Sequence, residues 1–132
     1  MSTQRLFVYG SLRRDVPGGR SDLLGDDAEF LGAGRVRGRL FDLGAYPGLV
    51  PAVTRAERVL GELYAIRGRR TLARLDAYED YDPRRPEHSL FVRREALVEL
   101  DSGATTTAWV YWYAGPAGRG RRIASGDYLQ RD

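Results

Sequence analysis

Short apolar runs, each closed by glycine or proline, dominate the chain and predict strands. Residues 5–9 (RLFVY) form the first, ended by Gly10-Ser11, so that backbone amides are exposed where the strand stops. Residues 15–30 are polar and turn-rich, with room for one short helical turn at Ser21–Leu24. From Phe30 to Leu43, Val36, Gly38 and Leu40 alternate with Arg35, Arg37 and Arg39, which predicts one long strand with an apolar face and an arginine face. Pro47-Gly48 predicts a type II turn, and Pro51 an edge or a strand end. Residues 58–66 are apolar on both alternations, the pattern of a strand buried on both faces or lining a barrel. LFVRREALVEL and TTTAWVYWYA read as adjacent strands joined by Asp101-Ser102-Gly103, and a small strand is expected at Arg122–Ala124.

The period changes once. On a helix starting near Thr71, Leu72, Leu75 and Glu79 fall within about 60° of arc, so Glu79 points the same way as two leucines, while Arg74 points away. Asp76 lies near the border of that face and reads as an ordinary surface or capping residue. Glu79 has two readings. Desolvated beside the leucines, its carboxyl would be pushed toward a pKa at which it can both take and release a proton. At the helix end it would instead reach solvent or pair with an arginine.

Composition narrows the picture. At 132 residues with 42% hydrophobic content, the chain has enough apolar surface for one domain spanning 1–132. No cysteine means no disulfide framework, zinc ribbon or thiol nucleophile. All 21 basic residues are arginine, interspersed with 18 acids, so the net charge of +3 permits polyanion binding without arguing for it. No leader-like or membrane-spanning apolar run is present, and the expectation is a cytoplasmic protein with no membrane partner. With no obvious exposed apolar helix, a monomer is expected.

Few patterns carry chemistry. Gly10-Ser11-Leu12 can present consecutive amide hydrogens to an anion or oxyanion, or be a plain turn. Neither a phosphate loop nor a dinucleotide fingerprint occurs, since there is no lysine and no GxGxxG opening a helix. His88, the only histidine, sits in a polar loop and reads as a surface residue, which leaves a catalytic triad or metal centre little to use. In residues 109–113, Trp109, Tyr111 and Tyr113 fall on one face and Val110 and Trp112 on the other. That pattern suits a covered strand better than a nucleic-acid stacking platform, and no nucleic-acid partner is expected.

Seven segments together resemble the gamma-glutamylcyclotransferase-like family and its AIG2-like branch: FVYGSLR (7–13), YPGLVP (46–51), GELY (61–64), LDAYEDYD (75–82), SLFVRR (89–94), AWVYWY (108–113) and SGDYL (125–129). The resemblance covers nearly the whole chain in order. It implies an α+β fold, a small mixed β-barrel with flanking helices. It implies intramolecular aminolysis of a gamma-glutamyl amide, releasing 5-oxoproline and an amine or amino acid, with no metal or cofactor and a small gamma-glutamyl compound as partner. Glu79 matches the family's catalytic glutamate, and Tyr9, Gly10, Ser11 and Leu12 its anion-holding turn. Tyr46 is a candidate cavity wall, and Tyr128 a candidate substrate-binding hydroxyl. DYDPRRPEHS after the helix is a candidate wall of the cavity mouth. The chain departs from the family where a tyrosine commonly stands two residues before Arg93: here it is Phe91, which keeps open a binding domain of the same fold without turnover.

Overall fold

The computed structural model describes residues 3–14, 16–116 and 120–130. Five strands close into a mixed barrel in the order β1-β5-β2-β6-β7: β1 (Thr3–Val8), β2 (Ala28–Arg37), β5 (Arg58–Arg67), β6 (Phe91–Leu100) and β7 (Thr105–Tyr113). All neighbours are antiparallel except the closing pair, where β1 meets β7 in parallel at Leu6 and Trp109. A smaller sheet, β4-β3-β8, is built from β3 (Arg39–Asp42), β4 (Pro47–Val50) and β8 (Arg121–Arg122). Among the described residues one α-helix, α1 (Arg69–Tyr78), follows β5, and three short 3-10 turns lie at Ser21–Leu24, Pro86–His88 and Tyr128–Gln130.

Strand alternation separates two cores. The first takes Phe7, Val36, Val59, Leu63, Val98 and Val110 from the barrel strands, with Leu40 and Leu49 of the small sheet and Ile123 beyond it. The second takes the other face: Leu6 and Val8, Tyr64 and Ile66, Phe91 and Tyr111, with Leu75 of α1 packed on them. The barrel wall between the cores has apolar side chains on both faces, which is why β5 and β7 carry no polar alternation. The aromatic run divides as its period demands: Trp109, Tyr111 and Tyr113 join the second core, Val110 and Trp112 the first.

Two expectations about strands are corrected. The long strand over 30–43 is two strands in different sheets, because β2 leaves the barrel at Gly38, where a side chain would run into Leu49 Cδ1 at 2.5 Å. Pro47-Gly48 is not a turn but the start of β4; the reversal is at 43–46, closed by Leu43 N donating to Tyr46 O at 2.9 Å, with Gly44 at φ 101°. Gly48 serves close packing instead, since a Cβ there would meet Leu43 Cδ1 at 2.7 Å and Tyr113 Cβ at 3.0 Å. The Asp101-Ser102-Gly103 hairpin is as expected, with Gly103 at φ 95° and Leu100 N bonded to Ala104 O.

Candidate functional site

The end of α1 is set by a left-handed cap. Glu79 is the first residue past the helix (φ −85°, ψ 4°), and Asp80 follows at φ 56°. Asp80 N then donates to Ala77 O at 3.2 Å and Tyr81 N to Asp76 O at 2.8 Å, the paired bonds that satisfy the last helical carbonyls. Asp80 O accepts from Leu90 N at 3.0 Å and Leu90 O from Ala114 N at 2.8 Å, tying the cap to the end of β7. Glu79 is therefore held by backbone on both sides. Because aspartate bears the left-handed conformation with some strain, Asp80→Gly is expected to stabilise the protein by about 0.5–1 kcal/mol and Asp80→Val to destabilise it by more than 1 kcal/mol, as read by urea denaturation.

Glu79 opens into a cavity of about 190 Å³ lined by Val8, Tyr9, Gly10, Ser11 and Leu12 from the end of β1, and by Tyr46 and Pro47 from the β3–β4 turn. Tyr78, Asp80, Leu90, Phe91 and Tyr111 complete the wall. The sequence-derived site residues Glu79, Tyr9, Gly10, Ser11, Leu12 and Tyr46 thus meet in one place. Tyr128 does not line it: its ring is buried in the first core with Ile123, because the short turn at 128–130 packs the aromatic body into the barrel. Of the segment DYDPRRPEHS only Asp80 lines the cavity. The rest folds back on itself, Ser89 Oγ accepting from Asp82 N at 2.9 Å and donating to Arg85 O at 3.1 Å, and His88 is exposed.

The turn after β1 is ordered from outside the cavity. Arg13 N closes it on Gly10 O at 3.0 Å, Arg20 N bonds Ser11 O at 2.7 Å, and Arg14 N bonds the buried Glu62 carboxylate at 2.8 Å. The Arg13 guanidinium pairs with Asp127 at 2.8 Å, and the Ser11 and Tyr78 hydroxyls lie 2.8 Å apart at the rim. The amides of Gly10, Ser11 and Leu12 donate to no other group among the described residues, which leaves three donors for a ligand. Gly10 is required by packing, since a Cβ would sit 2.6 Å from Pro47 Cγ.

Electrostatics single out one group. Burial pushes the Glu79 carboxyl up from the ordinary 4.5 to about 7. Tyr9 moves well above its usual value, first through burial and then through the negative charge of Glu79. Its hydroxyl donates to Tyr111 O at 2.6 Å and accepts from Leu49 N at 3.2 Å, so its proton is committed to the fold. Tyr111 likewise spends its hydroxyl on Asp76 Oδ1 at 2.6 Å, and its pKa is raised by burial and then by that bond. Asp76, read from sequence as surface or cap, is in fact buried and paired with Arg93, a role that only the strand partner reveals. Phe91 packs edge-on between Tyr46 and Tyr113, with ring centres 5.7 Å from each. Among the described residues no cationic side chain lines the cavity, and no group of three or more acids or histidines is arranged to hold a metal ion.

Comparison with known proteins agrees with this geometry. The family model described as gamma-glutamyl cyclotransferase, AIG2-like, matches residues 6–130. The gamma-glutamylcyclotransferase family protein YtfP of Escherichia coli K12 is 37% identical over 129 residues, covering 97% of this chain and 98% of its own. An AIG2-like protein from Mus musculus superposes with a TM-score of 0.73 at 26% identity over 89% of this chain and 82% of that one. YkqA from Bacillus subtilis shares the fold at a TM-score of 0.74 and 24% identity; this chain covers 96% of itself there but only 40% of that longer protein.

Proposed function

The chain belongs to the gamma-glutamyl cyclotransferase, AIG2-like, family, and from that premise we propose that it cyclises a gamma-glutamyl amide to 5-oxoproline with Glu79 as the proton carrier. The observation that carries the reading is the half-buried Glu79 carboxyl, raised to about 7, sharing a small cavity with Gly10, Ser11 and Leu12, whose backbone amides donate to no other described residue.

The chemistry follows from the arrangement. The α-ammonium of the substrate must lose a proton before its nitrogen can attack the side-chain amide carbonyl, and ionised Glu79 takes it. A carbon–nitrogen bond forms, the carbonyl oxygen gains charge, and the bond to the leaving nitrogen then breaks as Glu79 returns the proton to it. On ring closure the attacking nitrogen sheds a second proton, again through Glu79, so the leaving nitrogen departs as an ammonium and no water is consumed. The Gly10–Leu12 amides serve the substrate's anionic oxygens, the α-carboxylate from the outset and the carbonyl oxygen as it charges. Attack is already intramolecular, so the cavity's further task is to hold the chain folded for ring closure.

The leaving group is favoured by the same wall. Among the described residues Glu79 and Asp80 line the cavity and no arginine does, so a departing amino acid finds no cation there for its own carboxylate. This favours gamma-glutamylamines over gamma-glutamyl amino acids. The test is mass-spectrometric detection of 5-oxoproline after incubation with gamma-glutamylamines, gamma-glutamyl amino acids and glutathione. Turnover of the amines ahead of the others is expected, and silence across the panel with ligand still bound would leave the non-catalytic binding domain. For any substrate turned over, kcat/KM is expected to fall about tenfold per unit as pH drops below 7, because protonated Glu79 cannot accept the ammonium proton. A flat profile between pH 5 and 7 would remove Glu79 from the role.

A further inference from the structure

Behind the cavity lies a buried ion pair that the reaction above does not use. Asp76 and Arg93 line a separate, larger groove with Gln4, Leu72 and Trp109, while Glu79 and Phe91 line the cavity. The two pairs run in parallel. Asp76 lies in the last turn of α1 and Glu79 just past its end, three residues on, a spacing that on a helix sets Cβ atoms about 5–6 Å apart. Arg93 and Phe91 are two residues apart on one face of β6, about 7 Å. Arg93 is thus the next side chain beyond Phe91 on that strand face.

Its hydrogen bonds are made on the groove side. Arg93 Nε donates to Asp76 Oδ1 at 2.8 Å and Nη2 to Oδ2 at 3.2 Å, and the guanidinium lies 4.6 Å from the centre of the Trp109 ring. Tyr111 donates to the same Oδ1 at 2.6 Å, and its ring lines the cavity on the far side. The side chains of Arg93 and Asp76 are only 16% and 10% exposed, so water screens neither well. The guanidinium cannot shed its proton, so without Asp76 a permanent cation would be left uncompensated behind Tyr111, whose ring lines the cavity.

We infer that Asp76 is a positioning residue for the reaction, cancelling the Arg93 charge and holding it on the groove side so that Glu79 keeps a surrounding free of cations. The inference rests on Glu79 as proton carrier. Among the described residues, the titratable groups that line the cavity with Glu79 are Tyr9 just after β1, Tyr46 of the β3–β4 turn, Tyr111 of β7, and Tyr78 and Asp80 at its own helix end; none is a cation. Burial alone accounts for the raised Glu79 carboxyl, with no contribution from the paired Arg93.

The experiment is a carbon-13 NMR titration of the Glu79 carboxyl, its resonance assigned by its loss in Glu79→Gln. In Asp76→Asn the midpoint is expected to fall by about one pH unit, and the acid limb of kcat/KM with it. Asp76→Asn combined with Arg93→Gln, which removes both charges, should restore the wild-type midpoint. A purely structural mooring would lower kcat without moving the midpoint, so an unchanged or raised midpoint in folded Asp76→Asn overturns the inference. If Asp76→Asn does not fold, Arg93→Gln carries the test in reverse: an uncompensated Asp76 raises the midpoint, and an unchanged or lowered one overturns it. The titration needs no turnover, so a failure to form 5-oxoproline would count against the reaction and not against this.

Discussion

Replacing Glu79 with glutamine is expected to reduce 5-oxoproline formation by about 100- to 10,000-fold while leaving the protein more stable than wild type above pH 7. The activity loss follows because one carboxyl both accepts the ammonium proton and returns it to the leaving nitrogen, and the tyrosine hydroxyls of Tyr9 and Tyr111 are committed to Tyr111 O and Asp76. The stability gain follows from the sign of the shift. A carboxyl titrating at 4.5 unfolded and about 7 folded favours the fold while it is neutral, and that contribution is lost as pH rises from 4.5 through 7. Above pH 7 the wild type carries an ionised, poorly hydrated carboxylate, a penalty of roughly 1–3 kcal/mol given that the group still borders an open cavity. Glutamine has the same shape and no charge to desolvate. Thermal unfolding at pH 8 should therefore rank the variant above wild type, and at pH 4 the two should coincide. A variant that keeps turnover would remove Glu79 from catalysis; one that is less stable at pH 8 would show that its carboxylate is stabilised rather than strained by the fold.

Gly61→Ala is expected to lower the unfolding midpoint by about 10 °C, the largest effect of a single methyl group in the barrel. A Cβ at this position would lie 2.2 Å from Val8 O and 2.6 Å from Phe7 Cζ. Phe7 can turn its ring, but Val8 O is held where β1 pairs with β5, with Val8 opposite Glu62. Gly61 also faces Gly34 across β2 and β5, so the wall is thin there on two neighbouring strands. Combining Gly61→Ala with Phe7→Leu should recover only part of the loss, because the clash with backbone remains. Full recovery would mean that the ring alone sets the limit. The consequence reaches the site: β1 ends at Val8, and the Gly10–Leu12 turn hangs from it.

Local pattern determined more of this protein than its short elements suggest. Period-two alternation marked β5 and β7 as covered on both faces, the Asp101-Ser102-Gly103 hairpin followed from turn chemistry, and the 100° spacing of Leu72, Leu75 and Glu79 aimed one carboxyl inward. Each of these depends on neighbours a few residues apart, which sequence carries directly. The strand-then-glycine pattern offered the turn at Gly10-Ser11-Leu12, resemblance added Tyr9 and the expected reaction, and the structure brings that turn and Glu79 into one cavity.

Other features rest on partners far apart in the chain. Asp76 looked like a surface residue because Arg93 and Tyr111 are 17 and 35 positions away, and only barrel closure brings them to one carboxylate. Gly48 looked like a turn residue because its proline-glycine pair fits that geometry, yet the packing of Tyr113 on β4 demanded a missing side chain instead. The break at Gly38 was hidden because alternation continues unchanged while the strand moves from one sheet to another. Tyr128 shares the family's SGDYL segment, but its ring went to the barrel core, where burying an aromatic body outweighs presenting a hydroxyl to the cavity. Periodicity reports which way a side chain points, and burial and charge compensation depend on what stands opposite, which only the closed barrel decides.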